Sequence, residues 1–198
     1  MIDKYGYSRI YNFFGTEVDH INEYIKKEHY GNLIKWLVNL TNCQSYLEIG
    51  VDAGDCIHQI RDVVKKCVAV DWEDKMVDKD KIIFHNMSSD DFFENHNKDT
   101  YDIIFIDGGH TFGQVKQDFE NSLKVLNEFG ILIFHDTDPS ESILTHINYC
   151  ADAYKIIDYI MLRHPELNVM TFPIHETGLS FAMRKSDRRC NKFSDVLI

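Results

Sequence analysis

Asp107, His110, His135 and Asp136 are the residues whose types and spacing could do chemistry. Asp107 and His110 stand in Ile-Ile-Phe-Ile-Asp-Gly-Gly-His, and His135-Asp136 close Ile-Leu-Ile-Phe-His-Asp. Each acid follows a run of β-branched and aromatic residues too short to be a helix. Such runs read as strands buried on both faces of a parallel sheet, each stopping at a carboxylate. Ligands of open α/β sheets sit beyond the carboxyl ends of the central strands. Two carboxylates converging on one crevice repel unless one is protonated or a cation lies between them. Oxygen-rich ligation with an imidazole suits Mg²⁺ or Mn²⁺ better than zinc, and Asp138 offers one more oxygen. With an unperturbed pKa of about 6.5, His110 is a candidate general base. The plainer alternative is that both acids cap the following helices and that His110 bonds the backbone.

A second constellation lies earlier. Glu48-Ile49-Gly50-Val51-Asp52-Ala53-Gly54 stands between a short apolar run and a helical one, where a cofactor loop belongs, and its glycines allow close backbone approach. Set against the dinucleotide pattern G-x-G-x-x-G, the second and third glycines would be Asp52 and Asp55, whose charges repel a pyrophosphate. NAD and FAD are disfavoured. A cofactor with a cationic amino or sulfonium group and no phosphate fits better. Asp71, ending the next apolar run, is placed to hold two ribose hydroxyls, with Trp72 over an adenine and Met87 and Ser88 at its other edge.

The elements that must position these groups follow from periodicity. Val18, Ile21 and Ile25 predict one helix, and after Gly31 a second runs through Ile34, Leu37, Val38 and Leu40. Strands are expected at 46–50, 67–71, 81–85, 101–106 and 131–136. Helices between them are expected on Ile57, Ile60 and Val64, and on Phe112, Val115, Phe119, Leu123 and Leu126 behind a Thr111 cap. Residues 88–96 read as a short polar helix or loop, and 140–159 as a helix. Strands at 169–173 and 179–184 form a closing antiparallel hairpin, with Pro173 fitting an edge. The fold class expected is α/β, a doubly wound, mostly parallel seven-stranded sheet with that C-terminal hairpin. Asp118, one helical face beyond His110, reads as a surface carboxylate. The chain divides into an N-terminal arm and helices over 1–44, a core over 45–185 and a tail over 186–198. The aromatic arm (Tyr5, Tyr7, Tyr11, Phe13, Phe14) is a lid or simply packs on the core.

Composition narrows the function. With 198 residues and 44% hydrophobic content the chain suits one domain. A net charge of −11 lacks the basic footprint of a nucleic-acid binder, and the basic cluster Arg184, Lys185, Arg188, Arg189 and Lys192 reads as a solvated tail. Five scattered cysteines without a Cys-x-x-Cys suggest free thiols in a reducing compartment. With no signal pattern or membrane-length apolar run, a cytoplasmic location is expected.

Leu47-Glu48-Ile49-Gly50-x-x-x-Gly54, Val70-Asp71, Phe105-Ile106-Asp107-Gly108-x-His110 and Gly130-Ile131-Leu132-Ile133-Phe134-His135-Asp136 together resemble a class I S-adenosylmethionine-dependent methyltransferase. The similarity is to the methyltransferase 24 group, which includes macrocin O-methyltransferase-like enzymes, and spans about 33–185. Gly178 to Lys185 looks like that group's closing strand. The resemblance implies a Rossmann-like fold, S-adenosyl-L-methionine as cofactor and O-methylation of a small molecule such as a sugar or polyhydroxylated compound. The cofactor-binding residues would be Glu48, Gly50, Gly54, Asp71, Trp72, Met87, Ser88 and Asp107. It places a divalent metal on Asp107, His135 and Asp136, with Asp107 and His110 catalytic. Two departures stand out: Asp52 replaces the loop's middle glycine, and Asp55-Cys56 replaces the usual Ser-Thr pair. They leave open a cofactor-binding scaffold without activity, and a metal-independent transfer to another acceptor is a separate alternative. No nucleic-acid or membrane partner is expected, and a homodimer is left open.

Overall fold

The computed structural model describes residues 19–96, 98–174 and 176–185. The aromatic arm, His175 and the basic residues after Lys185 lie outside them. The chain runs α1 (Asp19–Thr41), β1 (Ser45–Ile49), α2 (Ile57–Ile60), β2 (Lys66–Asp71), β3 (Ile83–Asn86), α3 (Ser89–Asn95), β4 (Tyr101–Ile106) and α4 (Phe112–Val125). β5 (Leu126–His135), a 3₁₀ turn (Ser142–Thr145), α5 (Lys155–Arg163), β6 (Leu167–Phe172) and β7 (Leu179–Arg184) complete it.

The seven strands lie in the order β3-β2-β1-β4-β5-β7-β6. β7 pairs antiparallel with both β5 and β6, while the other pairings are parallel. Strand order reverses between β1 and β4, which opens a crevice at their carboxyl ends. Alternation along β4 explains why its apolar run is unbroken. Ile104 and Ile106 pack with Phe92, Phe119, Ile156 and Ile160 on one face. Ile103 and Phe105 pack with Ile34, Val38, Ile57 and Ile60 on the other. Both faces are dry, so both parities must be apolar. Phe119 is fully buried, and truncating such a ring to alanine costs about 3–5 kcal/mol.

The doubly wound reading holds, and several boundaries move. Gly31 does not interrupt the first helix: α1 runs through it. A Cβ there would sit 2.5 Å from the Gln59 amide, so the glycine permits close helix packing. The helix after the cofactor loop closes at Ile60. β5 starts at Leu126 and passes through Gly130, with a register irregularity between Tyr101 and Ile103. The helix expected over 140–159 is instead a 3₁₀ turn and a later helix. Ala151 has φ 45°, which an α-helix cannot accommodate, and Ile143 and Ile147 are exposed. Thr111 caps α4 as expected, its hydroxyl accepting from the Gln114 amide. β6 is an edge strand, with Pro173 just past its end. The four cysteines among the described residues are free thiols. No helix there is long and apolar enough to cross a membrane.

Candidate active site

A cavity of about 940 Å³ opens at the switch point. It is lined by Glu48, Gly50, Asp71, Trp72, Met87, Ser88, Asp107, His110 and His135 among others. Nearly all the residues read from the sequence as functional therefore share one cavity. Gly54 and Asp136 are not on its wall, although Asp136 bonds residues that are.

The β1 loop is built around Asp71. Its Oδ2 accepts from the amides of Val51 and Asp52, each at 2.9 Å, and its Oδ1 accepts from the Glu73 amide at 2.9 Å. That leaves Oδ1 a lone pair for a ribose hydroxyl, so Asp71 organises the loop before it meets any ligand. Gly50 has φ 80°, and a Cβ on it would lie 2.2 Å from the Asp107 carbonyl oxygen. Only glycine lets the two strand ends close on each other. Trp72 is 77% exposed at the rim. Ser88 caps α3, accepting from the Asp91 amide and donating to its carboxylate, so its hydroxyl is already committed.

Deeper in, Glu48 is buried, and the Tyr46 hydroxyl donates to its Oε2 at 2.5 Å. Burial pushes the Glu48 carboxyl up to about 8, outweighing the Tyr46 hydrogen bond that lowers it. At that value the acid is mostly neutral near pH 7, and a cationic group beside it would favour the ionised form. Cys56, 3.7 Å from the Tyr46 hydroxyl, is a thiol that burial holds well above its ordinary range.

At the reacting end the ends of β4 and β5 converge. His110 Nδ1 hydrogen-bonds Asp136 Oδ2; an ionised carboxylate only accepts, so Nδ1 carries a proton, and in the neutral ring Nε2 is the basic nitrogen. That hydrogen bond raises the His110 pKa against the opposing effect of burial. His135 Nδ1 lies 2.8 Å from Asp107 Oδ1 and 3.1 Å from Asp136 Oδ1, and its Nε2 is 3.3 Å from the Thr177 hydroxyl. Burial opposes a charge on His135, but the two carboxylates outweigh it and bring the imidazole to about 9. Burial likewise opposes ionisation of Asp136, but His110 and His135 hold it below the usual carboxylate range. Asp136 has φ 60°, a strained backbone of the kind that concentrates at functional sites.

Asp107, His110 and Asp136 present ligand atoms within 4.8 Å of one another. His135 Nδ1, though close to both acids, is buried without an aligned hydrogen bond. Two carboxylates with the His110 imidazole form an oxygen-rich donor set of the kind that fits a divalent cation. The imidazole in this set is that of His110, where the sequence reading had placed His135: His135 Nδ1 is turned between the two acids as an ion-pair partner instead.

Asp118 corrects the sequence reading outright. It is 0% exposed, not a surface carboxylate, and it lines the cavity with Ser89 and Gln114. Burial pushes its carboxyl up to about 6, with Ser89 and Gln114 pulling the other way. Tyr30 and Gly31 of α1 also reach the cavity, the Tyr30 ring standing edge-on to His135 at 4.6 Å. Of these, Gln114 and Asp118 carried a signal: four apart, they fall on one face of the helix that follows the reacting loop.

The family described as a methyltransferase domain (methyltransferase 24) matches residues 47–137. Curated protein sequences give no significant match. An O-methyltransferase from Bacillus cereus in complex with SAH is 13% identical with TM-score 0.68, covering 90% of this chain and 96% of its own. The O-methyltransferase TomG from Streptomyces achromogenes, involved in tomaymycin synthesis and bound to SAM, is 13% identical with TM-score 0.64, covering 89% and 94%. MycE methyltransferase from the mycinamycin biosynthetic pathway, with Mg and SAH, is 17% identical with TM-score 0.58, covering 79% of this chain and 48% of its own. At these identities the structural likeness is one of fold. Residues 47–137 match the methyltransferase-domain family, and the sheet around them has the fold of these O-methyltransferases.

Proposed function

We propose that this S-adenosylmethionine-dependent methyltransferase methylates a hydroxyl of a sugar or other polyhydroxylated small molecule, with a divalent cation at Asp107 and Asp136. The observation that carries the reading is the meeting of Asp107, His110, His135 and Asp136 on one side of a cavity whose other side is the Glu48–Asp71 loop. Its volume, about 940 Å³, is near the top of the roughly 300–1,000 Å³ range of small-molecule sites, which leaves room for an acceptor beside the cofactor.

S-adenosylmethionine supplies a methyl group already activated on sulfur, and a bound cation would lower the acceptor's pKa and fix its position. Asp107 and Asp136 would hold that cation with an imidazole nitrogen. The chain's own work is to orient and to move a proton. His110 Nε2 accepts the acceptor hydroxyl's proton while Asp136 holds the ring through Nδ1, the arrangement of a base fixed by a carboxylate. Asp71 and the loop amides keep the cofactor end rigid. Magnesium in MycE supports the metal, and the O-methyltransferase neighbours support the hydroxyl acceptor.

One observation favours a metal-independent form of the same transfer: His135, at 2.8 and 3.1 Å from the two acids, can itself serve as the cation between them. The test is transfer from isotopically labelled S-adenosylmethionine to a panel of polyhydroxylated acceptors, with and without chelator. Loss of transfer on chelation and recovery with Mg²⁺ or Mn²⁺ supports the metal; an unchanged rate leaves the His135 form. Labelling confined to nitrogen or protein acceptors overturns the acceptor class.

A further inference from the structure

We propose that Asp118 reads the 6-amino group of the cofactor's adenine, with Gln114 and Ser89 setting its orientation. The proposal rests on the S-adenosylmethionine reading above and names a specificity-determining residue for it. Asp118 is fully buried on α4, yet it belongs to the cavity wall. Its Oδ1 accepts from Gln114 Nε2 at 3.1 Å, and the same amide donates to the Ser89 hydroxyl at 3.2 Å. Those bonds tie α4 to the first turn of α3 and fix the plane of the carboxyl group. Its Oδ2 has no aligned hydrogen-bond partner among the described residues, although the Ser89 hydroxyl lies near enough to the carboxyl to favour its charged form.

The second oxygen faces Gly108, where even an added Cβ would stand 3.7 Å away. A buried acceptor left without a donor is costly, and native structures satisfy nearly all such groups. A donor brought by the ligand resolves it. Asp71, at the end of β2, is the ribose residue of the proposed site; Met87 and Ser88 follow the end of the neighbouring β3, Ser89 comes next in the chain and bonds Gln114, and Gln114 bonds Asp118, all lining one cavity. The base is the part of the cofactor that falls there, and the exocyclic amine is adenine's one N–H₂ donor. A keto group in that place would set oxygen against oxygen.

The experiment is calorimetric titration of the full chain with S-adenosylhomocysteine and with S-inosylhomocysteine, whose base carries a 6-oxo group. The wild type is expected to favour the adenosyl ligand by at least about tenfold, since a site built to pair an N–H group rejects the analogue lacking it. In Asp118→Asn the new amide can donate to the 6-oxo group, and the preference should shrink by about tenfold or invert. A merely structural role would weaken both ligands alike and leave the ratio unchanged, which overturns the proposal. Equal binding of the two ligands by the wild type overturns it without recourse to any variant. If the wild type binds neither ligand, the cofactor reading itself has failed, a result distinct from an unchanged ratio.

Discussion

Replacing Asp118 by asparagine should stabilise the protein, and by an amount that depends on pH in a calculable way. Burial raises the folded-state pKa of this carboxyl from 3.8 to about 6. At about 1.4 kcal/mol per pH unit, the two units of difference correspond to roughly 3 kcal/mol. A carboxyl whose folded pKa is raised contributes stability that is fully present below the unfolded value. That stability is lost as pH rises through the folded value. For Asp118 the window is therefore from near 4 to just above 6. Between pH 5 and pH 8 the expected loss in the wild type is about 1.4 kcal/mol, and asparagine, which does not titrate, is spared it. Asparagine keeps an acceptor for Gln114, so the difference isolates ionisation rather than a lost contact. Urea denaturation of both proteins at pH 5 and pH 8 measures it, because every other titrating group cancels in the comparison. The melting temperature at pH 8 should rise by several degrees, at roughly 2–4 °C per kcal/mol for a chain of this size. A stability difference that is the same at both pH values would refute the reasoning, since the carboxyl would then ionise as freely folded as unfolded.

His110→Ala should lower kcat by about 10²–10⁴ while S-adenosylhomocysteine affinity, followed by calorimetry, changes little; a matching loss of affinity would place His110 in the cofactor site instead. Asp71→Ala removes the acceptor of three loop amides and should weaken S-adenosylhomocysteine binding by more than about tenfold, each charged hydrogen bond being worth about 1.5–3 kcal/mol. Hydrogen exchange should show Val51 and Asp52 losing protection in the same variant. Gly50→Ala would drive a methyl group against the Asp107 carbonyl at φ 80° and should cost more than about 1 kcal/mol, with a lower denaturation midpoint and damage at both the cofactor loop and the reacting carboxylate.

The sheet was readable because the period-2 and period-3.6 signals were clean where both faces of a strand are buried. Ile103 to Ile106 cannot be amphipathic when α4 and α5 cover one side and α1 and α2 the other. Misreadings arose where tertiary contacts outweigh local preference. Gly31 looked like a helix stop, yet its missing side chain is what admits Gln59. The apolar spacing of 140–159 looked helical, but Ile143 and Ile147 face outward and Ala151 turns left-handed. Asp118 looked like one more solvated acid, since nothing in a helical repeat says that a carboxylate faces a cavity. Asp107, Asp136 and Asp71 were legible as strand-end acids; the pairing of His110 with Asp136, across different strands, depends on the register of β4 against β5 and on the positive φ of Asp136.

The crowding of acids at the switch point follows from where charge goes during methyl transfer. On the proposed reading the cofactor would bring a cation at sulfur, and His110 would hold that charge as a proton once the methyl group had moved. Both ends of the path lie within one cavity bounded by Glu48, Asp107 and, behind His110, Asp136. The positive charge thus never leaves the acidic surround, and the field that attracts the sulfonium also stabilises the imidazolium. Glu48 would suit the first half of this path: burial brings its carboxyl to about 8, so a cation beside it would favour the ionised form and little unpaired charge is buried otherwise. Asp136 suits the second half, being held ionised by two imidazoles and so ready to stabilise His110 when the proton arrives. Gly50 joins the halves. With the Asp107 carbonyl 2.2 Å from where its side chain would begin, the β1 loop and the end of β4, the two halves of the proposed site, meet in one close backbone contact. In the proposed reaction the separation of sulfur and acceptor would then be governed by the backbone of β1 and β4 rather than by flexible side chains. That is the condition under which orientation contributes most to rate.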